Sequence, residues 1–269
     1  SAFYPSPFQS AAILTIDGVG EWSTASISTG NGSEIKTIKE MHYPHSVGLL
    51  YSAFTFFLGF KVNDGEYKLM GLAPYGQMEN AETKQFISTI KDHLVDIKND
   101  GSIYLHQEYF SYSTSLKMIP SHKWEKLFNL QKRKENENFL TSHLNLALAI
   151  QVVTEEIIEK LAAYAMEITG QTNLCMAGGV ALNCVAKGKI EKKLGDRLFI
   201  QPASGDDGTS LGAALAVHHQ YFNLNREIGS HFNPCLGPGF SDSEIKLFLD
   251  HAKVHHQKHE FSTLIDIVS

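Results

Sequence analysis

A compact apolar run near the start of the chain is followed by two segments in which apolar and polar positions alternate, with glycine-containing turns between the segments. These segments cover 11–16, 23–29 and 34–41, and Gly30-Asn31-Gly32 separates the second from the third. A period of two between tight turns is typical of β-strands. The pattern predicts three antiparallel strands.

Helical spacing then replaces the alternation. Residues 45–60 are apolar on every side, which predicts a mostly buried helix. The longest helical pattern covers 139–168, and Gly170 is a typical residue to end it. Shorter elements are predicted as a helix over 67–72 that stops before Pro74, a helix over 82–94 and a strand over 102–105.

The stretch from 110 to 138 follows neither period. It is polar and mixed, and residues 132–137 are rich in lysine and glutamate. Charges in such a run most simply form a solvated face. We therefore expect an exposed excursion or insertion here.

The second half alternates strands with helices. Strands are predicted at 173–176 and 197–200, and helices at 180–193 and 209–221. This order predicts parallel strands with a ligand at their carboxyl ends, and hence an α/β fold. Residues 232–239 resemble a linker, and a short capped helix is predicted at 245–250. The residues after Leu236 are expected to belong to another domain.

Composition narrows the function classes. The 269 residues are 43% hydrophobic and 19% charged, with a formal net charge of −6. This is the composition of a globular protein, with no overall attraction to nucleic acid or anionic membranes. Three cysteines without framework spacing and no apolar run of about 20 residues favour a cytoplasmic location without a membrane span. The chain starts at Ser1 and ends within an apolar pattern, so we expect a piece of a longer polypeptide.

Three loops carry candidate chemistry. Gly178-Gly179 lies between a predicted strand and a predicted helix, where bare backbone can approach a phosphate. Asp17-Gly18 follows the first strand and can hold a metal or polarise water. Gly205-Asp206-Asp207-Gly208 opens a small-residue helix and suits a metal beside a nucleotide. Each loop also has a ligand-free interpretation: a tight turn, a hairpin turn and helix capping by aspartate, respectively.

Together the loops resemble the nucleotide cleft of the actin, sugar-kinase and Hsp70 type (ASKHA). The chain more closely resembles the carbamoyltransferase family that includes the nodulation and antibiotic O-carbamoyltransferases. The core of that family is similar to the tRNA threonylcarbamoyl-adenosine enzymes. The matching segments are 2–8 (AFYPSPF), 15–21 (TIDGVGE), 43–48 (YPHSVG), 68–76 (KLMGLAPYG), 178–183 (GGVALN) and 205–209 (GDDGT).

The resemblance implies an activity and a domain plan. Such enzymes make carbamoyl-adenylate from carbamoyl phosphate and ATP, and then transfer the carbamoyl group to a hydroxyl of a sugar or secondary metabolite. Residues 1–230 would be the transfer core, an ASKHA fold truncated at its N-terminus. Residues 231–269 would be a linker and the start of a YrdC-like domain, the type that performs the first step.

The resemblance also implies site residues. Asp17 and Asp206 match two ligands of a metal site, usually iron (Fe²⁺), whose two histidines would precede Ser1. We therefore expect weak or absent metal binding in these residues. His45 and Asp17 are the predicted catalytic residues, with His45 as general base or simply a helix-start histidine. The predicted nucleotide-binding residues are Gly18, Lys68, Gly178, Gly179, Asn183, Asp206 and Gly208; Lys68 has the alternative of a surface charge.

Other functions share these features. A tRNA threonylcarbamoyl transferase, a sugar kinase or ATPase, and a nucleotide-binding module without chemistry all remain open. The expected partners are carbamoyl phosphate, ATP and a hydroxyl-bearing small molecule, without nucleic acid or membrane. Acceptor specificity is expected from residues 110–138 and 43–48, which lie between or within the motifs.

Overall fold

A computed structural model describes residues 1–226, 228, 233 and 237–269. The chain divides into two compact units, Ser1–Phe232 and Asn233–Ser269. Half of the linker predicted over 232–239, namely 232 and 234–236 with Cys235 and Leu236, lies outside the described residues. The assignment of the two parts to a transfer core and a YrdC-like domain stays a prediction.

One five-stranded sheet organises the first unit, in the order β3-β2-β1-β6-β7. β1 pairs antiparallel with β2 and parallel with β6, and β7 continues the parallel part. Both the antiparallel trio and the later parallel strands are confirmed, and so is the α/β class. The ASKHA assignment stays a prediction. The strands are β1 (Ser10–Ile16), β2 (Ser23–Asn31), β3 (Glu34–His42), β4 (Val95–Ile97), β5 (Ile103–Leu105), β6 (Leu174–Ala177) and β7 (Leu198–Ile200), with β4 and β5 forming a separate hairpin.

Nine α-helices accompany the strands in the described ranges. The longest, α5, has its buried positions at helical spacing, including Leu146, Ile150, Val153 and Ile157, and ends at Gly170 with φ +64°. No helix in these ranges combines the length and apolar character that a membrane span needs. The helices are α1 (Val47–Phe57), α2 (Glu66–Leu72), α3 (Ala81–Thr89), α4 (Ser121–Phe128), α5 (Thr141–Thr169), α6 (Cys184–Leu194), α7 (Thr209–Ala216), α8 (Asp242–His251) and α9 (Phe261–Val268).

Two helix starts differ from the prediction because of side-chain caps. α1 begins only at Val47, since the Ser46 hydroxyl accepts a hydrogen bond from the Leu49 N–H at 3.0 Å. After β6, a short 3-10 turn over Gly179–Leu182 precedes α6, whose first turn is capped by Asn183. In the second unit, the predicted cap of α8 is confirmed: Ser241 and Glu244 exchange side-chain to backbone hydrogen bonds.

The expectation of an exposed excursion over 110–138 is confirmed for 113–117 and 134–138, which are exposed, but it is wrong for the part between them. This stretch contains α4, and Trp124 is fully buried against the rings of Phe54 and Phe57, with centroids 4.7 and 5.6 Å away. Its indole N–H donates to the Tyr109 carbonyl at 2.7 Å. Arg133 is also buried, and its guanidinium donates to the Leu58 carbonyl at 3.0 Å. The apolar residues of this stretch are spaced irregularly among charges. Because they follow neither a helical nor a strand period, the sequence pattern does not reveal their contribution to the core.

Trp124→Ala tests this correction. Removing a fully buried indole should lower the free energy of unfolding by about 3–5 kcal/mol, because it loses apolar burial and leaves a cavity. Urea unfolding of the variant measures the loss. The matched control is Trp22→Ala, since Trp22 is 70% exposed and its removal should change stability by less than about 0.5 kcal/mol. Equal effects of the two substitutions would contradict the buried position of α4.

Candidate functional site

The three candidate loops meet at one edge of the sheet. β1, β6 and β7 are parallel, so their carboxyl ends lie on the same side, and each is followed by one of the loops. The Gly178 N–H donates to the Ser204 carbonyl at 2.8 Å, which joins the loop after β6 to the loop after β7. The Gly179 N–H donates to Asp17 Oδ1 at 3.2 Å, which joins the loop after β6 to the loop after β1. The structure therefore brings the glycine turns and Asp17 together.

The Asp17 carboxylate is held by backbone groups from two loops. Its Oδ1 accepts the Gly18 N–H at 2.8 Å as well as the Gly179 N–H. The backbone carbonyl of Asp17 also accepts hydrogen bonds from the Ser46 hydroxyl at 3.0 Å and the Gly48 N–H at 3.3 Å. In the described part of the chain, no hydrogen bond or ion pair occupies Oδ2. One carboxylate oxygen is thus fixed, and the other is available to a ligand.

The glycines of the site have different reasons to be glycine. Gly178 has φ +97°, and a Cβ there would lie 2.1 Å from the Ile16 carbonyl oxygen. A Cβ at Gly208 would lie 1.9 Å from the Ala203 carbonyl oxygen. Both positions therefore require glycine for the packing of the chain itself. A Cβ at Gly18 would meet nothing within 4 Å, so the space beside Gly18 is open to a ligand.

Asp206 is exposed in the third loop, just before α7. Its backbone carbonyl accepts the Thr209 hydroxyl at 2.6 Å, so the residue takes part in starting the helix. In the ranges that the structure describes, no group of three or more histidine, cysteine, aspartate or glutamate side chains is arranged to hold a metal ion. The metal site predicted at Asp17 and Asp206 therefore stays a prediction.

His45 packs toward the β4–β5 hairpin. Its Nδ1 accepts the Leu105 N–H at 3.1 Å, and its ring packs against Tyr104 with centroids 4.4 Å apart. Burial lowers the pKa of the His45 imidazole, which favours the neutral ring at neutral pH. Because Nδ1 is an acceptor here, the neutral ring carries its proton on Nε2. His45 is therefore arranged as a hydrogen-bond donor, and its predicted role as general base requires a different tautomer.

Asn183 and Lys68 are placed differently from the loops. Asn183 is buried, and its Oδ1 accepts the Ala186 N–H at 3.1 Å while its amide pairs with Gln151. This side chain is committed to the interior and is not directed at a ligand by any contact. Lys68 is exposed on α2, and the contact recorded for its Nζ is with the ring of Tyr67, 5.8 Å away. That position agrees with the surface-charge alternative as well as with a ligand role.

Several residues that shape the site were not singled out from the sequence. Ser46 donates to the Gly18 carbonyl at 2.5 Å, and a Cβ at Gly48 would lie 2.7 Å from the Gly18 nitrogen. Both belong to the segment 43–48, so the motif was visible, but its role in supporting the Asp17 loop was not. Ser204 gave no signal, because its contribution is a backbone carbonyl.

Known proteins match most of this chain. A family model described as "Carbamoyltransferase N-terminus" matches residues 1–215. The uncharacterized protein sll1178 of Synechocystis sp. is 46% identical over 258 residues, covering 93% of this chain and 40% of that protein. The nodulation protein NolNO of Sinorhizobium fredii is 31% identical over 221 residues, covering 82% of this chain and 30% of the relative.

A second nodulation protein supports the same family. NolO of Bradyrhizobium diazoefficiens is 31% identical over 218 residues, covering 81% of this chain and 36% of the relative. This chain thus spans about three tenths to two fifths of the length of these relatives. The resemblance drawn from the six motifs is confirmed, and the chain belongs to the carbamoyltransferase family, whose N-terminal part it matches.

Proposed function

We propose that this chain is the core of an O-carbamoyltransferase that moves a carbamoyl group from carbamoyl-adenylate to a hydroxyl of a sugar or secondary metabolite. The observation that carries the proposal is the Asp17 carboxylate, fixed between two glycine loops at the carboxyl ends of parallel strands. Membership of the carbamoyltransferase family supports the transferred group. We propose the ASKHA fold for this core on the same grounds.

The acceptor hydroxyl attacks the carbamoyl carbon, and the bond from that carbon to the phosphate oxygen breaks. AMP leaves, and the hydroxyl proton must pass to a base. Asp17 suits this role, because its Oδ1 is held by two N–H groups while Oδ2 can accept the proton or orient the hydroxyl. His45 offers an N–H donor at Nε2 and can stabilise charge that develops on an oxygen of the donor.

The nucleotide is proposed to lie over the open side of Gly18. The N–H groups of Gly18, Gly178 and Gly179 are already bonded within the protein, so these residues contribute close approach of the backbone more than free donors. Asp206 and Gly208 would border the phosphate at the start of α7, and Lys68 on α2 would contribute a positive charge. Iron held with histidines before Ser1 stays a prediction, and no step above depends on it.

Carbamoyl-phosphate-dependent release of pyrophosphate from ATP tests the donor. We expect release by the full-length protein that carries this sequence and none by residues 1–269 alone. The physical reason is that adenylate formation needs a separate site, and the relatives are more than twice as long as this chain. Omitting carbamoyl phosphate is the control. Without release by either protein, the kinase, ATPase and binding-module alternatives take precedence over carbamoyl transfer.

Asp17→Asn tests the catalytic role of the carboxylate. The amide keeps the size and one acceptor oxygen but loses the charge, so carbamoyl transfer by the full-length protein should fall about 10²- to 10⁴-fold. Binding of AMP, measured by isothermal titration, should change little. Asp196→Asn, at an exposed turn after α6, is the matched control and should retain activity. Full transfer by Asp17→Asn with normal AMP binding would contradict the catalytic role of the carboxylate.

A further inference from the structure

A buried polar network lies where α1, α5 and α6 meet. It comprises Tyr51 on α1, Gln151 and Glu155 on α5, and Asn183 at the start of α6. All four residues are at most 9% exposed. Lys189, further along α6, reaches the network from the surface and forms an ion pair with Glu155 Oε2 at 2.5 Å. Buried polar groups of this kind are costly unless each is paired.

The centre of the network is a reciprocal pair of amides. Gln151 Nε2 donates to Asn183 Oδ1 at 3.0 Å, and Asn183 Nδ2 donates to Gln151 Oε1 at 3.0 Å. Gln151 Oε1 also accepts the Tyr51 hydroxyl at 2.9 Å, and Gln151 Nε2 also donates to Glu155 Oε1 at 2.7 Å. Every hydrogen-bonding position of the Gln151 amide is therefore used.

The neighbours of the pair allow a single orientation of both amides. A flip of Gln151 would turn its oxygen toward the Glu155 carboxylate, so that two acceptors would face each other where Nε2 now donates. A flip of Asn183 would place its amide nitrogen against the Ala186 N–H, which now donates to Oδ1 at 3.1 Å. Burial and the nearby carboxylates of Glu155 and Glu66 raise the pKa of Tyr51, so its hydroxyl stays protonated and can donate to Gln151. The network thus fixes Asn183 rigidly.

Asn183 is connected to the candidate site through the 3-10 turn. Its backbone N–H donates to the Val180 carbonyl at 3.0 Å, and the Ala181 N–H donates to the Gly178 carbonyl at 3.0 Å. The Gly179 N–H is the group that holds Asp17 Oδ1. A continuous run of hydrogen bonds and short turns therefore leads from α5 to the Asp17 carboxylate.

We propose that Gln151 is a positioning residue, which holds the Gly178–Leu182 turn against Asp17 by orienting Asn183. This gives Asn183 a role different from the direct nucleotide contact predicted for it: its amide faces Gln151, and its effect on a ligand passes through the turn. The placement of the turn stands on the contacts above, and only the consequence for nucleotide binding rests on the proposed function.

Gln151→Leu tests the proposal by hydrogen–deuterium exchange of the free protein. Leucine is similar in size to glutamine but has no hydrogen-bonding groups, so the Asn183 amide loses its partner. Exchange of the amides between Gly178 and Ala186 should rise about tenfold, as expected when a buried hydrogen bond is lost. The exchange of amides in β2 and β3 should rise much less. Ile157→Val, another buried position on α5, is the control for general loss of stability and should not single out the turn.

Tyr51→Phe provides a milder variant in case Gln151→Leu does not fold. It removes only the hydroxyl that orients Gln151, so exchange should rise in the same amides by a smaller factor. Unchanged exchange at 178–186 in both variants, or an increase spread evenly over the protein as in Ile157→Val, would overturn the proposal.

AMP titration of the same proteins separates the two proposals. If the turn positions the nucleotide site, Gln151→Leu should weaken AMP binding about tenfold while Ile157→Val binds as the unaltered protein does. If the unaltered protein does not bind AMP, the proposed function fails, whereas the exchange result still decides the role of Gln151. Localised exchange without weaker AMP binding would overturn the link between the turn and the nucleotide.

Discussion

The parallel pairing of β1 with β6 is the contact on which the rest of the first unit depends. It brings Asp17 and Gly179 into contact although they are 162 residues apart in the chain. Closing so long a loop has an entropic cost, although this cost grows only slowly with loop length, and local interactions do not offset it. The apolar burial that offsets it comes from the helices between the two strands, with α5 packing its apolar positions against β1 and β2.

This pairing also explains why the candidate site is made of backbone. Where β6 ends beside β1, the two strands approach so closely that a side chain at Gly178 would overlap the Ile16 carbonyl. The N–H groups freed by the turn are taken up by Ser204 and Asp17. A carboxylate held in this way loses conformational freedom before any ligand arrives, which is the arrangement that favours catalysis by orientation. Its second oxygen is the atom to which the proposed function assigns the acceptor hydroxyl.

The sequence was informative where local pattern and local structure coincide. Apolar runs that end in glycine or Asp-Gly marked β1 and β6, and the position of both candidate loops followed from the strand order. It was misleading where a residue type has two common uses. Asn183 follows a glycine turn in a ligand motif, yet its side chain caps α6 and pairs with Gln151, a partner 32 residues away. Trp124 looked like part of a charged excursion because its ring partners lie on α1, far back in the chain. The contact between His45 and the Leu105 backbone is equally remote from local pattern.

Gly178 and Gly18 have different surroundings, so substitutions at the two positions would do harm in different ways. Backbone crowding makes Gly178 a determinant of how much folded protein a cell accumulates, because a substitution there acts on the strand pair before any ligand binds. The open space beside Gly18 gives a substitution there no such packing cost, so under the proposed function its effect would fall on the bound ligand. In a population of variants, losses at the first position would be recoverable by stabilising changes elsewhere in the chain, while losses at the second would not. Under the proposed function, glycines of one motif set would therefore differ in whether a stabilising change elsewhere can compensate for their loss.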